Sequence, residues 1–155
     1  MTVDVRVGQR PLHEIYLKAF EKTVREAHPD TVMCAYNRVN GEQMAESSML
    51  RDILRDAWGF DGVIISDWGS VSQRDGGVAV GMDLEMPDSH GKFDGDVYAA
   101  LEDGRLSEQQ LDDCVLRLLQ FAETCAQRRQ DAQPPQPMDE QAHLALAREI
   151  AARAM

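Results

Sequence analysis

The sequence predicts an α/β fold with parallel strands, on three observations. Amphipathic helical patterns alternate with short apolar runs along the chain. The run at 63–65 (VII) is continuously apolar and bounded by glycines, which suits a parallel strand covered on both faces. Gly59 and Gly104 stand where two of the predicted helices end, in the position that favours glycine.

The first predicted helix covers residues 11–27. Its apolar residues recur on one stripe, and Pro11 suits a position in the first turn. The apolar segment 31–36 (TVMCAY) predicts a short buried strand. Residues 37–46, centred on an Asn-Gly pair, predict a polar loop.

The second predicted helix begins at a serine cap, Ser47 or Ser48, and runs to residue 57. The buried strand at 63–66 follows it, and a third strand is predicted around residues 78–84. Three strands are too few for a self-sufficient parallel sheet, because its edges would be exposed. The sequence therefore predicts one part of a larger unit.

Two further helices and a linker are predicted in the second half of the chain. Residues 94–103 form a helical pattern, and Ser107 with Gln110 makes a capping box that opens another helix. The proline-rich segment 131–137 has the composition of an extended linker. Residues 139–155 predict an alanine-rich helix.

The charge of the chain excludes some classes of partner. The 155 residues carry a formal net charge of −11, which argues against binding to nucleic acid or to an anionic membrane. No apolar run approaches the roughly 18 residues of a membrane span. The opening residues lack the pattern of a secretory signal. The sequence assigns no compartment, and a cytoplasmic, periplasmic or secreted parent protein fits equally well.

The spacing of cysteine and histidine predicts neither a metal site nor a disulfide framework. Cys34, Cys114 and Cys125 are odd in number and have no metal-type spacing. We expect all three to pack as small buried apolar residues. The histidines likewise show no ligand spacing, so neither a metal nor another cofactor is expected.

The candidate catalytic group follows the buried strand at 63–66. Asp67 and Trp68 come directly after it, and the carboxyl end of such a strand is where α/β folds place their chemistry. Tyr36 ends the preceding predicted strand and is expected at the same edge. The structural alternatives are a loop-capping role for Asp67, a core position for Trp68 and, for Tyr36, packing of its ring with a hydrogen bond to a loop.

Four ordered motifs carry a resemblance to a known family. They are RPLHEIYL at 10–17, VMCAYNRVNG at 32–41, GFDGVIISDW at 59–68 and GMDLEMP at 81–87. Together they resemble the N-terminal domain of glycoside hydrolase family 3, the β-glucosidase type. The tail AHLALAREIA at 142–151 resembles the segment just before that family's second domain.

The resemblance implies the C-terminal portion of a (β/α)8 TIM-type barrel, about strands six to eight, followed by a linker and a terminal helix. Residues 1–130 would form the partial barrel, and residues 131–155 would lead towards a second domain. The earlier strands, and a Lys-His motif that binds sugar hydroxyls, would lie upstream of Met1. The missing barrel half and the second domain are therefore expected in the parent protein.

The chemistry implied by the resemblance is retaining hydrolysis of β-linked O-glycosides through a covalent glycosyl-enzyme. Asp67 would be the nucleophile, Trp68 would line the glucose subsite, and Tyr36 would hydrogen-bond near the nucleophile. A glutamate acts as acid and then as base, about 5–5.5 Å from the nucleophile. The family pattern puts it beyond Met155, so it is not in this chain. The expected substrate is a β-glucoside or a related oligosaccharide.

Three alternatives stay open on the sequence alone. In the first, the chain is an incomplete, inactive barrel piece that needs a partner chain or only binds sugar. In the second, the parent is a β-xylosidase or N-acetylglucosaminidase of the same family, although Trp68 after the nucleophile favours glucose or xylose. In the third, the chain is an unrelated α/β binding module, which requires the four motifs to coincide by chance.

Asp83 and Glu85 also invite a paired-carboxylate interpretation, because they close the third predicted strand. The family resemblance places the catalytic pair elsewhere. Structural hydrogen bonding is therefore the prediction for both residues.

Overall fold

The computed structural model of the chain describes residues 3–133 and 138–154. Within these ranges, helices alternate with short strands, which confirms the predicted α/β class. The chain divides into two compact units, Met1–Cys125 and Ala126–Met155.

The helices and strands follow one another in an α/β order. The strands are β1 (Asp4–Val5), β2 (Thr31–Met33), β3 (Arg38–Val39), β4 (Glu42–Gln43) and β5 (Val63–Ile65). The first helical stretch, α1, consists of four consecutive segments: Gln9–Pro11, Leu12–Tyr16, Lys18–Lys22 and Thr23–Ala27. The other helices are α2 (Leu50–Ala57, with π-helical hydrogen bonds), α3 (Arg74–Ala79), α4 (Asp94–Glu102), α5 (Glu108–Asp131) and α6 (Glu140–Ala154). A 3₁₀ turn lies at Met44–Glu46.

The parallel strands β2 and β5 pair with each other, and β2, predicted as a buried strand over 31–36, covers only Thr31–Met33 and is partly exposed. Val32 lies opposite Ile64 in their ladder, and α2 makes the crossover between them. Residues 82–86 extend the sheet beyond β5 through a parallel bridge between Ile65 and Leu84. All three segments run in the same direction, so their carboxyl ends lie at one edge of the sheet.

The prediction of a polar loop at 37–46 is wrong in one respect, because this segment contains a β-hairpin. Strands β3 and β4 pair antiparallel, and β1 pairs in parallel with β3. Asn40 and Gly41 form the turn between them, with φ angles of 52° and 96°. Positive φ at both positions is the backbone of a type I′ turn, which Asn-Gly pairs favour.

The strand predicted around residues 78–84 is also wrong. Val78 belongs to α3, where it is buried against α4 and α5. Gly81, with φ of 82°, then turns the chain, and only the residues that follow are extended. The return is tight, because a Cβ on Gly77 would lie 2.7 Å from the Met82 side chain. A short apolar run does not by itself distinguish a buried helix end from a strand.

The helices of the second half follow the prediction, with one correction. Ser107 N–H donates to Gln110 Oε1 over 3.0 Å and Gln110 N–H donates to Ser107 Oγ over 3.3 Å, so the predicted capping box forms. Helix α5 extends to Asp131, which was predicted to open the linker. Residues 134–137 of that linker, and Met155 of the predicted last helix, lie outside the described residues.

Two clusters of buried side chains form the core. The larger cluster is Val24, Cys34, Ala45, Leu50, Leu54, Phe60, Ile64, Val71 and Met82. The smaller cluster is Val78, Ala100, Leu106 and Cys114. Cys34 and Cys114 are thus buried as predicted, whereas Cys125 is exposed on α5, so the prediction is wrong for that thiol.

Two kinds of feature are absent from the described ranges, a membrane-spanning helix and a metal-binding cluster. Over residues 3–133 and 138–154, no helix combines the length and the apolar character that a membrane crossing needs. The side chains described there also include no group of three or more His, Cys, Asp or Glu placed to share a metal ion.

Candidate active site

Ser66 fixes the carboxyl end of β5. Its side chain is fully buried, and its Oγ accepts from Met86 N–H at 2.8 Å and donates to Met86 O at 3.2 Å. The backbone N–H of Ser66 donates to Leu84 O over 2.9 Å. These hydrogen bonds fix Ser66 to the neighbouring segment, and Asp67 is the first residue after this fixed point.

Asp67 begins a tight turn over residues 67–70. Ser70 donates to Asp67 O both from its backbone N–H, at 3.1 Å, and from its hydroxyl, at 3.0 Å. Gly69 has a φ of 70°, a left-handed conformation that other residues adopt only with strain. The N–H of Trp68 donates to Asp67 Oδ1 over 2.7 Å. The carboxylate is therefore held in place, half-buried, at the end of the strand.

Tyr36 approaches this turn from the segment that follows β2. Its hydroxyl donates to the backbone oxygen of Trp68 over 2.8 Å. Desolvation, followed by the negative charge of Asp67 and a hydrogen bond with its carboxylate, raises the pKa of Tyr36. The phenol therefore stays protonated at neutral pH and remains a hydrogen-bond donor beside the carboxylate.

The structure brings the three predicted site residues together at one edge of the sheet. The Trp68 side chain is 54% exposed and that of Tyr36 is 48% exposed. Within the described residues, the Trp68 side chain is therefore not part of either buried cluster. Two open aromatic rings beside a carboxylate suit a carbohydrate, because the rings cover apolar sugar faces while polar groups bind hydroxyls.

Asp83 has the opposite surroundings, and they confirm its predicted structural role. Its side chain is fully buried and accepts hydrogen bonds from Arg55 Nη2 at 2.7 Å and from Arg117 Nε at 2.8 Å. Glu85 instead accepts from the hydroxyl of Ser89 at 3.0 Å. The two acidic side chains thus bind separate partners, and Asp83 is held by two cations.

Two residues near the site were not singled out from the sequence. Gln43 and Glu46 follow the hairpin turn, and both hydrogen-bond to the loop that begins at Asp67. The Asn-Gly pair before them signals a hairpin. It does not signal which distant backbone atoms the hairpin side chains reach, because that depends on tertiary packing.

Comparison with protein families decides the assignment of the chain. The family described as Glycosyl hydrolase family 3 N terminal domain matches residues 2–121. The chain belongs to this family. The matched range includes Tyr36, Asp67 and Trp68, and it confirms the resemblance carried by the four motifs.

Relatives of this family 3 chain include proteins named for two different activities. The thermostable β-glucosidase B of Acetivibrio thermocellus is 43% identical over 157 residues, which cover 100% of this chain and 20% of the relative. The exo-α-(1→6)-L-arabinopyranosidase of Bifidobacterium breve is 45% identical over 113 residues, covering 72% and 15%.

A solved structure has a similar fold over most of this chain. The GH3 β-glucosidase of Bifidobacterium adolescentis superposes with a TM-score of 0.81 at 38% identity, over 95% of this chain and 21% of that one. This family 3 chain therefore spans about a fifth or less of the length of the relatives it matches.

Proposed function

We propose that this family 3 chain carries the nucleophile and part of the sugar-binding surface of a retaining β-glycosidase of the β-glucosidase type. One observation carries the proposal: Asp67 stands at the carboxyl end of a buried parallel strand, beside the exposed rings of Tyr36 and Trp68. The proposed activity belongs to the intact parent protein, since the chain covers 20% of its β-glucosidase relative.

Asp67 is the nucleophile in this proposal. A carboxylate needs no base to activate it, and its negative charge also stabilises an oxocarbenium-like transition state. Attack on the anomeric carbon breaks the glycosidic bond, while a carboxylic acid gives its proton to the departing oxygen. Water, deprotonated by the same acid/base group, then cleaves the glycosyl ester and restores the original anomeric configuration. We place that acid/base glutamate in the parent protein beyond this chain.

The two aromatic residues bind and orient the sugar. Trp68 offers an open indole face to the glucose ring, and the Tyr36 hydroxyl, whose proton is donated to Trp68 O, offers its oxygen as an acceptor for a sugar hydroxyl next to the Asp67 carboxylate. The raised pKa of Tyr36 keeps the phenol protonated, so the hydrogen bond to Trp68 O that orients the ring is retained.

The parallel segments correspond in this proposal to about strands six to eight of a (β/α)8 barrel. Their common direction, the crossover by α2 and the position of Asp67 at the carboxyl edge support that placement. Residues 1–130 would then be the partial barrel, and residues 131–155 the linker and helix towards a second domain. The other barrel strands and the second domain would come from the rest of the parent protein.

Trapping of the covalent intermediate tests the nucleophile. The parent enzyme is treated with a 2-deoxy-2-fluoro glucosyl fluoride, and the labelled peptide is identified by mass spectrometry. We expect the label on the peptide containing Asp67, and none on the Asp67→Asn variant. Asp61→Asn is the matched control, because it makes the same change at an exposed position before the same strand and should keep full labelling. Labelling of Asp67→Asn would refute the assignment.

A second substrate class follows from the arabinopyranosidase relative at 45% identity. Hydrolysis rates of the parent on p-nitrophenyl β-glucoside, β-xyloside, N-acetyl-β-glucosaminide and α-L-arabinopyranoside separate the candidates. We expect the β-glucoside to be the best substrate. The isolated chain, which lacks the acid/base glutamate in this proposal, should be inactive on all four unless a partner chain supplies the missing part.

A further inference from the structure

The hairpin of β3 and β4 places one side chain between the two loops that form the candidate site. Gln43, at the end of β4, donates from Nε2 to Tyr36 O over 3.3 Å and to Ser70 O over 3.2 Å. These oxygens belong to the tyrosine loop (residues 34–37) and to the nucleophile loop (residues 67–73). A single amide group therefore ties both loops to one support.

Glu46 holds the far end of the nucleophile loop from the same hairpin. Its Oε1 accepts hydrogen bonds from Ser72 N–H at 3.1 Å, from the Ser72 hydroxyl at 2.7 Å and from Gln73 N–H at 2.8 Å. A carboxylate that accepts three hydrogen bonds forms a strong anchor for backbone amides. Gln43 and Glu46 thus bind the nucleophile loop at two separate points.

The support itself is well anchored. The side chain of Asn40 accepts from Val7 N–H at 2.9 Å and donates to Val7 O at 3.0 Å, which joins the hairpin turn to the segment after β1. Ala45, between the two anchoring residues, is fully buried. Residues on this segment can therefore hold the loops in place, because their own positions are set by packing.

Gln43 acts on the loops and does not itself supply hydrogen-bond donors to a sugar. An amide nitrogen carries two protons, and both of those on Nε2 are committed to backbone oxygens. Those oxygens belong to Tyr36 and to the turn that Asp67 begins. A shift of about 1 Å in groups that orient a substrate is enough to lower a rate by about a hundredfold.

We propose that Gln43 is a positioning residue, which with Glu46 holds Tyr36 and the Asp67–Trp68 turn in the geometry that binds and attacks the sugar. The inference rests on the proposed glycosidase function and deepens it, because it assigns the hairpin to that same site.

The test uses Gln43→Glu in the parent enzyme. This substitution keeps the length and shape of the side chain but replaces both donor protons by an oxygen that faces two carbonyl oxygens. We expect kcat/KM on the preferred glycoside to fall about tenfold or more. Gln120→Glu, which makes the same change on the exposed surface of α5, is the matched control and should keep wild-type kinetics.

Hydrogen–deuterium exchange gives a readout that does not depend on activity. The backbone amides of the nucleophile loop are hydrogen-bonded at residues 68, 69, 70, 72 and 73. We expect Gln43→Glu to accelerate exchange in peptides covering residues 67–73 and to leave β5 unchanged. Unaltered exchange in that loop, or a kcat/KM within twofold of wild type, would overturn the proposal.

A double-mutant cycle with Tyr36→Phe separates positioning from direct contact with the sugar. If Gln43 acts through the tyrosine loop, its effect on kcat/KM should shrink in the Tyr36→Phe background. Fully additive effects with unchanged exchange would assign Gln43 to sugar contact and refute positioning. If Gln43→Glu does not fold, Gln43→Asn, which is too short to reach both oxygens, should give the same two readouts.

The proposed function and the positioning role fail in different ways. A wild-type parent that hydrolyses no glycoside contradicts the glycosidase proposal, and with it the catalytic part of this inference. The exchange measurement still decides whether Gln43 holds the nucleophile loop, and unchanged exchange refutes the tie regardless of activity.

Discussion

Asp67 and Asp83 lie near the ends of neighbouring parallel segments, and their surroundings are opposite. Asp83 is fully buried and binds two arginine side chains and the backbone N–H of Ile64. Asp67 is half-buried and takes its hydrogen bond from the N–H of Trp68. A buried carboxylate neutralised by cations stabilises the fold, whereas one presented at a strand end beside open rings is available for chemistry.

The largest expected effect is a loss of catalytic rate without a loss of stability. Asp67→Asn in the parent enzyme should lower kcat by about 10³-fold or more, because an amide is a poor nucleophile for the anomeric carbon. Its melting temperature should stay within about 2 °C of wild type, since the asparagine keeps the shape of the side chain and an oxygen that can accept from Trp68 N–H. Steady-state kinetics and a thermal melt on the same preparation check both. A large loss of stability would contradict the distinction between a catalytic Asp67 and a structural Asp83.

The same substitution at the second aspartate should have the reverse outcome. Asp83→Asn leaves Arg55 and Arg117, whose side chains are 13% and 18% exposed, without their carboxylate partner, which should lower the free energy of unfolding by about 3 kcal/mol. Urea unfolding measures this loss. Residual folded enzyme should still form the glycosyl-enzyme, because Asp67 is intact. Unfolding free energy equal to wild type would contradict the structural role.

A smaller effect is expected at Tyr36. Tyr36→Phe keeps the ring and removes the hydroxyl that donates to Trp68 O beside the Asp67 carboxylate. We expect kcat/KM to fall about tenfold, the cost of one lost hydrogen bond in the site. The raised pKa of Tyr36 places its deprotonation above that of an ordinary tyrosine, so activity below about pH 9 should not depend on its titration. A tyrosine-dependent fall in rate near neutral pH would disagree with this.

The smallest expected effect concerns thiols near the two aspartates. Burial, followed by the charge of Asp83, raises the pKa of Cys34 to about 12 and that of Cys114 to about 11. Raised pKa values reduce the thiolate fraction at pH 8, so iodoacetamide should label exposed Cys125 well before the other two. Peptide mapping reads the order of labelling, and Cys125→Ser should remove the fast phase without changing activity.

Local patterns predicted much of the fold and of the candidate site. The run VII bounded by glycines predicted a buried parallel strand, and Asp67 and Trp68 do follow it at the carboxyl edge. Ser107 and Gln110 predicted a capping box, because the residues that make it are three positions apart. Short-range signals of this kind involve neighbours in the chain, so they can be recognised without knowing the packing.

Other features depended on partners far apart in the sequence. The segment 78–84 begins in a helix and ends in an extended stretch. Val78 packs against Ala100 of α4, whereas Leu84 forms a β-bridge with Ile65 of β5. The sequence around Asp83 does not predict its partners Arg55 and Arg117, because they come from α2 and α5. The links from Gln43 to Tyr36 O and Ser70 O are equally non-local.

The sequence by itself determined the α/β class, the family and the order in which Tyr36, Asp67 and Trp68 occur. Apolar periodicity, capping residues and sequence motifs each involve residues that are close together in the chain, so they can be recognised from the sequence. Only the tertiary structure decided that the Asp83 carboxylate is buried against two arginines while that of Asp67 is partly exposed. It also decided that Gln43 links the loop of Asp67 to the loop of Tyr36. Burial and hydrogen-bond partners are set by contacts between distant segments, and these form only when the strands and helices pack together.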